Sequence, residues 1–233
     1  MDLFRKIKVY GFNRVISYIL PELKRYFRLI FLGSYSHLGE DLFLSKQFPK
    51  NYKGFCVDVG TNDPKRKNNS YYFYKRGWRG INIEPDPNCF NKIKKYRERD
   101  INLNVGVGEN SGHLDFYLFF PSLLNTFSKK QSEEYVSQGY ELLEVKKVEV
   151  RKLEDVLDEY LPEGIEIDFM SIDAEGYDLN VLRGLNLSKY RPRYICIEAS
   201  KEDISGGIYD MLRESGYSEV YSNGSNAIFR HVG

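Results

Sequence analysis

Short apolar runs alternate with amphipathic segments over most of this 233-residue chain. Phe55–Val59 and residues 167–172 are apolar runs of strand length, and such runs are typical of strands buried in a parallel sheet. In residues 87–99, Phe90, Ile93 and Tyr96 recur at helical spacing and define one apolar face. Strands that alternate with helices pair mainly in parallel, so the pattern predicts an α/β fold.

The full set of predicted elements follows from the same two periodicities. Strands are predicted over residues 55–59, 80–83, 101–105, 114–119, 145–150, 167–172 and 194–197, near Val220 and over residues 227–229. Helices are predicted over residues 70–76, 87–99, 153–161, 177–183 and 204–214. The strand over 114–119 is expected at a sheet edge, and the last two strands as an antiparallel hairpin. Residues 121–140 have few apolar positions, so we expect a long mobile loop that contacts substrate.

Acidic residues and a lone glycine mark the ends of the first two predicted strands. Asp58 and Gly60 close the first, and Glu84 follows the second after roughly the 20-residue spacing of nucleotide-binding folds. The carboxyl ends of such strands meet at the switch point where nucleotide-like ligands bind. Glycine allows close backbone approach, and a glutamate accepts hydrogen bonds from ribose hydroxyls. The pattern therefore predicts an adenosyl cofactor.

The residues around Gly60 favour S-adenosylmethionine over a dinucleotide. A dinucleotide site needs several glycines before a helix N-terminus, whereas Gly60 stands alone and Pro64 lacks an amide hydrogen. The basic residues 65–67 leave anion binding open. An acid before one glycine suits a cofactor with a positively charged end, and Asp58 is placed for its amino-acid moiety. The alternative role for Asp58 is to cap the next helix.

Two further acids, Asp173 and Glu198, end predicted strands at the same edge of the sheet. Carboxylates that face one cavity can share a proton, bind a metal or accept a hydroxyl proton. Asp173 is the first candidate for the base, Glu198 the second and Glu175 the third. Glu175 has the alternative role of a first-turn helix acid, and Glu198 that of a structural ion-pair partner. Carboxylates also suit Mg²⁺, but no spacing requires it, so no metal is predicted. Among the histidines, His37 is the catalytic candidate.

Composition limits the class of protein. A hydrophobic content of 42% can supply the core of one large domain. The net charge of +1 gives no general case for nucleic acid binding. The three cysteines lack metal-site spacing, and two fall in predicted buried strands, which indicates thiols in a reducing compartment. Without a signal peptide and its cleavage site, the expected location is cytoplasmic. The many tyrosines suit a sugar-binding surface, or reflect a bias in composition.

The first 33 residues differ from the rest, because basic residues outnumber acidic ones and alternate with apolar side chains. Charges interrupt each apolar run well before the ~20 residues of a membrane span. One interpretation is one or two basic helices lying on the inner, anionic face of a membrane. The other is a helical cap packed on the domain. The predicted boundaries are 1–33 for this segment and 34–233 for the domain.

One long stretch resembles a known family. Residues 55–90, FCVDVGTNDPKRKNNSYYFYKRGWRGINIEPDPNCF, resemble the opening signature of FkbM-type methyltransferases. The resemblance continues in residues 100–109, 171–185 and 195–200, and residues 34–44 resemble the S-Q-x-G-E-D box upstream of it. It implies a class I methyltransferase, Rossmann-like fold. That fold is a doubly wound, mostly parallel seven-stranded sheet with helices on both faces and a C-terminal antiparallel hairpin.

The resemblance also implies an activity, which is S-adenosylmethionine-dependent O-methylation, often of sugar hydroxyls. By resemblance, the residues at the methionine end of the donor are Asp58, Gly60, Asn62, Asn69 and Ser70. Glu84 then holds the ribose, Pro85, Asn104 and Val105 flank the adenine, and Asp173 faces the methyl group. Thr61 and His37 stand where the family commonly has alanine and glutamine. The acceptor is expected at residues 121–140, including Asn125, Thr126 and Phe127.

Two rival functions remain at the level of sequence. One is a nicotinamide-dependent oxidoreductase on a similar fold, because the strand-end pattern is shared. The other is a non-catalytic scaffold that docks on a glycan-assembly complex through the basic N-terminal segment. The presence of Asp58, Glu84 and Asp173 argues against a scaffold.

Overall fold

The computed structural model describes residue 27, residues 30–199 and residues 207–233. The strands of this part of the chain are β1 (Phe55–Val59), β2 (Arg79–Ile83), β3 (Ile101–Leu103), β4 (Gly106–Gly108), β5 (Gly112–Phe120), β6 (Glu141–Lys152), β7 (Phe169–Ile172), β8 (Tyr194–Glu198), β9 (Tyr217–Ser222) and β10 (Asn226–His231). The helices are α1 (Glu40–Ser45), α2 (Tyr71–Tyr74), α3 (Pro87–Tyr96), α4 (Lys129–Ser137), α5 (Leu153–Tyr160), α6 (Asp178–Arg183) and α7 (Ile208–Glu214), with a 3₁₀ turn at Ser122–Leu124.

Seven strands form the central sheet in the order β3-β2-β1-β7-β8-β10-β9. The first five are parallel, and β10 runs antiparallel to both β8 and β9. This confirms the predicted mostly parallel, seven-stranded sheet with a terminal hairpin. The chain order reverses between β1 and β7, so the carboxyl ends of these strands open into the crevice where ligands bind in such folds.

Helices cover both faces of the sheet because side chains of each strand alternate between two cores. In β1, Val57 and Val59 belong to the larger core, which α5, α6 and α7 complete. Cys56 points to the other face, where it packs with Leu44 of α1, Phe73 of α2 and the ring of Trp78. The buried strand cysteines expected from the sequence are Cys56 and Cys196, which are 2% and 1% exposed.

The strand predicted over residues 114–119 exists, but its predicted location at the edge of the central sheet was wrong. β5 belongs to a separate three-stranded sheet with the order β4-β6-β5. It pairs antiparallel with β6 along its whole length, while β3 and β9 occupy the two edges of the central sheet. β4 was not predicted. An alternating pattern predicts a strand and its two faces, but it does not identify the partner strand.

The prediction that residues 121–140 form a mobile loop was also wrong. They contain the 3₁₀ turn and α4, whose N-cap Ser128 accepts a hydrogen bond from the Gln131 amide at 3.2 Å. A cap hydrogen bond satisfies one of the free amides at a helix start and so favours a helix in this polar segment.

Most of residues 1–33 and the start of the helix predicted over 204–214 lie outside the described residues. None of the described helices combines the length and the apolar character that crossing a membrane requires.

Candidate active site

A cavity of about 710 Å³ opens at the carboxyl edge of the central sheet. Its size is within the range of ligand pockets in proteins, roughly 300–1,000 Å³. Most of the site residues predicted from the sequence line it, namely His37, Gly60, Thr61, Asn62, Asn69, Glu84, Pro85, Val105, Asp173 and Glu198. Asp58, Ser70 and Asn104 are not in its wall: Asp58 and Ser70 are buried, and Asn104 is exposed.

Glu84 follows β2 and is only 4% exposed. Its two carboxylate oxygens accept hydrogen bonds from the Asn62 and Asp86 amides, each at 2.8 Å. Burial raises the pKa of Glu84 to about 7, although these two hydrogen bonds oppose the shift. An ionised carboxylate has about four acceptor positions, so two remain for ligand hydroxyls. Asn104 supports this segment from outside by donating to the Glu84 carbonyl oxygen at 2.8 Å.

Apolar side chains lie beside Glu84 in the cavity wall. They come from β2, from the segment after β3 and from the second sheet: Ile83, Val105, Val107 and Phe116. An acid next to such an apolar surface fits a ligand that joins a ribose to a flat heteroaromatic base. Val107 and Phe116 were not predicted, because their position depends on how the second sheet packs against the first.

Asp58 lies beneath the cavity, where it holds the segment after β1. It is 3% exposed and accepts hydrogen bonds from Ser70 Oγ at 2.6 Å and Asn68 Nδ2 at 3.0 Å. Fully buried Arg97 also donates to Ser70 Oγ and forms an ion pair with Asp100. Burial raises the pKa of Asp58, and the Ser70 hydrogen bond lowers it. Asp58 does not cap α2, since the Tyr71 amide at the start of that helix donates to Asn68 Oδ1.

Gly60 marks a close contact between two strand ends. Its φ of +77° favours glycine, and a Cβ atom there would lie 1.8 Å from the Asp173 carbonyl oxygen. The close approach of the segments that follow β1 and β7 is therefore sufficient to require glycine at position 60. Among the described residues, the non-glycine residues with positive φ are Asn62, Lys67 and Glu175, and all three line the cavity. Such backbone conformations cost of order 1–3 kcal/mol each and cluster at functional sites.

Asp173 follows β7 and presents a carboxylate without a hydrogen-bond donor among the described residues. Burial raises its pKa well above the usual range, and the nearby charges of Glu198 and Glu175 raise it further. Glu198 ends β8 in the wall of the same cavity. Carboxylates that repel one another in this way are suited to hold and exchange a proton.

Glu175 is not an acid in the first turn of a helix, so that alternative prediction was wrong. α6 begins at Asp178, whose carboxylate accepts from the Ala174 and Gly176 amides. Glu175 lies before the helix and accepts a 2.5 Å hydrogen bond from the Tyr135 hydroxyl of α4. Burial raises its pKa to about 7, and the Tyr135 hydrogen bond opposes that shift.

Residues 121–127 cross the cavity as a strap that contacts both halves. On the Glu84 side, Asn62 Nδ2 donates to the Ser122 carbonyl oxygen at 2.9 Å, and Asn125 Nδ2 donates to Asp86 at 3.2 Å. On the other side, Thr126 Oγ1 donates to the Glu175 carbonyl oxygen at 2.7 Å. Asn125 and Phe127 line the cavity, whereas Thr126 is buried beneath it.

His37 reaches the cavity from the segment before α1. Asp41 fixes the turn by accepting from Ser34 Oγ at 2.6 Å, and buried Glu40 accepts from Asn223 and Asn226 side chains at 2.8 and 2.6 Å. The acids of this segment thus have structural roles, and they connect it to the turn between β9 and β10. That turn adds Ser225 and Asn226 to the cavity wall, and no local signal in the sequence indicated this.

No group of three or more His, Cys, Asp or Glu side chains in the described part of the chain is arranged to hold a metal ion.

Solved structures that resemble the chain do so weakly. The crystal structure of methyltransferase FkbM from Methylobacillus flagellatus KT matches at 17% identity and a TM-score of 0.46, over 76% of this chain and 43% of that one. A TehB-like SAM-dependent methyltransferase from Corynebacterium glutamicum matches at 12% identity and a TM-score of 0.41, over 92% of this chain and 98% of that one. The N-terminal domain of human METTL16 in complex with SAH matches at 16% identity and a TM-score of 0.40, over 82% of this chain and 65% of that one.

No curated protein matches the chain. The sequence profile of the Methyltransferase FkbM domain, however, matches residues 58–219, which is more than half of the chain. The matched range contains Glu84 and Asp173, and S-adenosylmethionine is the methyl donor of this class of enzyme. The chain belongs to the methyltransferase FkbM domain family and has the fold of a class I S-adenosylmethionine-dependent methyltransferase.

Proposed function

We propose that this protein transfers a methyl group from S-adenosylmethionine to a hydroxyl oxygen of a carbohydrate in a polysaccharide, a glycolipid or a glycosylated metabolite. The observation that supports this most is the Asp173 carboxylate. It follows β7 in the cavity wall, has no hydrogen-bond donor among the described residues, and has a pKa raised by burial and by its acidic neighbours. An ionised carboxylate whose pKa is raised is a stronger proton acceptor than an ordinary one.

The cavity can accommodate the ribose and the adenine of the donor. The Glu84 carboxylate has free acceptor positions for ribose hydroxyls, because only two of its four are used by backbone amides. Ile83, Val105 and Phe116 provide an apolar surface for the adenine. The donor is consumed in each turnover and supplies an electrophilic methyl group on a positively charged sulfur.

The acceptor chemistry needs a positioned oxygen and a base. The acceptor oxygen forms the new bond to the methyl carbon as the bond from carbon to sulfur breaks, and the hydroxyl proton passes to Asp173. Glu198 is the second candidate for this base. Its negative charge also raises the pKa of Asp173. Orientation and general base catalysis account for such a reaction without further groups.

A carbohydrate acceptor is supported by the polar character of the cavity beyond Glu84. Amide and hydroxyl side chains line it on several sides, from Asn125, Ser225 and Asn226. Such groups can hydrogen-bond the several hydroxyls of a sugar ring. Aromatic Phe127 adds an apolar surface that suits one face of the ring.

The test compares surface glycans and glycolipids of the source organism with the gene intact, deleted, and restored as wild type or Asp173→Asn. Mass spectrometry and linkage analysis should find one O-methyl group that is lost on deletion and returns only with the wild-type gene. Loss of a general base lowers the rate by about 10²–10⁴, while the variant should still bind S-adenosylhomocysteine. A methyl group found on nitrogen or on a non-carbohydrate product, or full restoration by Asp173→Asn, would refute the proposal.

We also propose that residues 1–33 bring the enzyme to an anionic membrane face. At the described end of this segment, Phe27, Ile30, Phe31 and Leu32 are 66%, 50%, 92% and 54% exposed. Exposed apolar residues next to basic ones favour binding to an anionic lipid surface. Flotation with anionic liposomes should carry the full chain but not a chain that begins at Gly33, and equal flotation of both would end the idea.

A further inference from the structure

An arginine and a lysine line the cavity together with several carboxylates. Its wall contains five carboxylates, those of Asp63, Glu84, Asp173, Glu175 and Glu198. Among the lysines and arginines of the described chain, Arg66 and Lys67 also line this wall. Both lie on the segment between β1 and α2. Both side chains are exposed, so they lie where the cavity opens to solvent, whereas Glu84 is buried deep in it.

The segment that carries these side chains is held in one conformation. The Asp63 carboxylate accepts from the Lys65 and Arg66 amides at 2.9 and 2.8 Å. Lys67 has a φ of +51°, which a lysine rarely adopts unless its surroundings impose it. The conformation turns neighbouring basic residues in different directions, since the Lys65 ammonium lies 3.8 Å from the centre of the Tyr96 ring and is not in the cavity wall.

Neither Arg66 nor Lys67 forms an ion pair with a carboxylate of the described residues. Burial raises the pKa of Glu175 to about 7, and the charge of Lys67 acts in the opposite direction. The Lys67 ammonium is therefore close to the acidic side of the cavity, where the proposed base lies, but remains available for another anion. Guanidinium and ammonium groups together are the usual partners of carboxylates and phosphates.

We propose that the carbohydrate acceptor carries a carboxylate or a phosphate, and that Arg66 and Lys67 bind it at the mouth of the cavity. This inference rests on the proposed function and narrows its acceptor to acidic sugars, such as uronic acids or sugar phosphates. The acceptor hydroxyl then lies at Asp173 while its anionic group is held at the solvent side. The carboxylate of the methyl donor is the competing ligand for the same pair.

The test uses the full chain saturated with S-adenosylhomocysteine, and probes that differ in one group: methyl glucuronoside, glucose 1-phosphate and neutral methyl glucoside. Charge-assisted hydrogen bonds of about 1.5–3 kcal/mol should make the anionic probes bind at least tenfold more tightly than the neutral one. The double variant Arg66→Gln/Lys67→Gln should lose this preference. Lys65→Gln removes one positive charge from the same segment, from a side chain outside the cavity wall, and should keep the preference. Added salt should reduce the preference in the wild type.

The affinity for S-adenosylhomocysteine separates the two sources of the anion. It should stay within about twofold in the double variant, because the charges are assigned to the acceptor. A tenfold loss of that affinity would assign the pair to the donor carboxylate and overturn the inference, as would equal or absent binding of all three probes. Absence of S-adenosylhomocysteine binding by the wild type would instead refute the proposed methyltransferase function, so the two failures are distinguishable.

Discussion

Replacement of Glu84 by glutamine tests the donor site most directly. The side chain keeps its shape, but one carboxylate oxygen becomes an NH₂ group. Both oxygens accept from backbone amides, those of Asn62 and Asp86, at 2.8 Å. Whichever way the amide turns, one donor must face another donor, and one acceptor for a ribose hydroxyl is lost.

The expected loss of affinity follows from these contacts. A hydrogen bond to a charged group contributes about 1.5–3 kcal/mol, so the Kd for S-adenosylhomocysteine should rise roughly 10- to 150-fold in Glu84→Gln. Isothermal titration calorimetry measures this. Asp168→Asn is the matched control: Asp168 is also buried and accepts from the Phe55 amide at 2.8 Å, but it lies at the opposite end of β7. It should lower the stability and leave the Kd unchanged.

The same experiment has a pH dependence. Burial raises the pKa of Glu84 to about 7, and ribose hydroxyls donate to the ionised form. Binding therefore favours loss of the proton, and the Kd should rise by up to about tenfold for each pH unit below 7. Glu84→Gln should remove this dependence. Wild-type affinity that is flat from acidic to alkaline pH, or a Glu84→Gln Kd within twofold of wild type, would refute the assignment of Glu84 to the donor.

Three further predictions concern the site and its stability. Gly60→Ala should cost several kcal/mol more than Gly164→Ala in chemical denaturation, because the two glycines have φ of +77° and +74° but a Cβ atom meets the Asp173 carbonyl oxygen only at Gly60; equal costs would contradict a steric role. Tyr135→Phe should raise the pKa of Glu175 above about 7, since it removes a hydrogen bond that lowers this pKa; an NMR titration of the carboxyl carbon that shows no shift would disprove the contact. The ligand-free protein should lose stability as pH rises from about 4.5 to 7. The pKa values of Glu84 and Glu175 rise from 4.5 to about 7 on folding, so in this range the folded protein keeps protons that the unfolded chain releases. Thermal melts measure this, and a melting temperature that rises over this window would contradict it.

Much of the fold and of the site could be predicted from local patterns. Apolar runs ending in acids predicted the parallel strands β1, β2, β7 and β8 and the edge where they open. This is because a strand buried on both faces reads as a continuous apolar run and the chain turns polar where it reaches solvent. Most of the predicted site residues consequently lie in one cavity wall. The resemblance across residues 55–90 then identified the family, which the profile match over residues 58–219 confirmed.

The sequence alone determined the parallel strands of the central sheet, the acidic strand ends and the methyltransferase family, because each depends on residues close together along the chain. The tertiary structure alone decided which strands pair, and so placed β5 and β6 in a second sheet that brings Phe116 to the cavity. It also joined Thr126 and Tyr135 to Glu175, and turned Arg66 and Lys67 into the cavity but Lys65 away from it. These contacts join residues that are distant along the chain or differ only in backbone direction, so no periodicity or spacing encodes them.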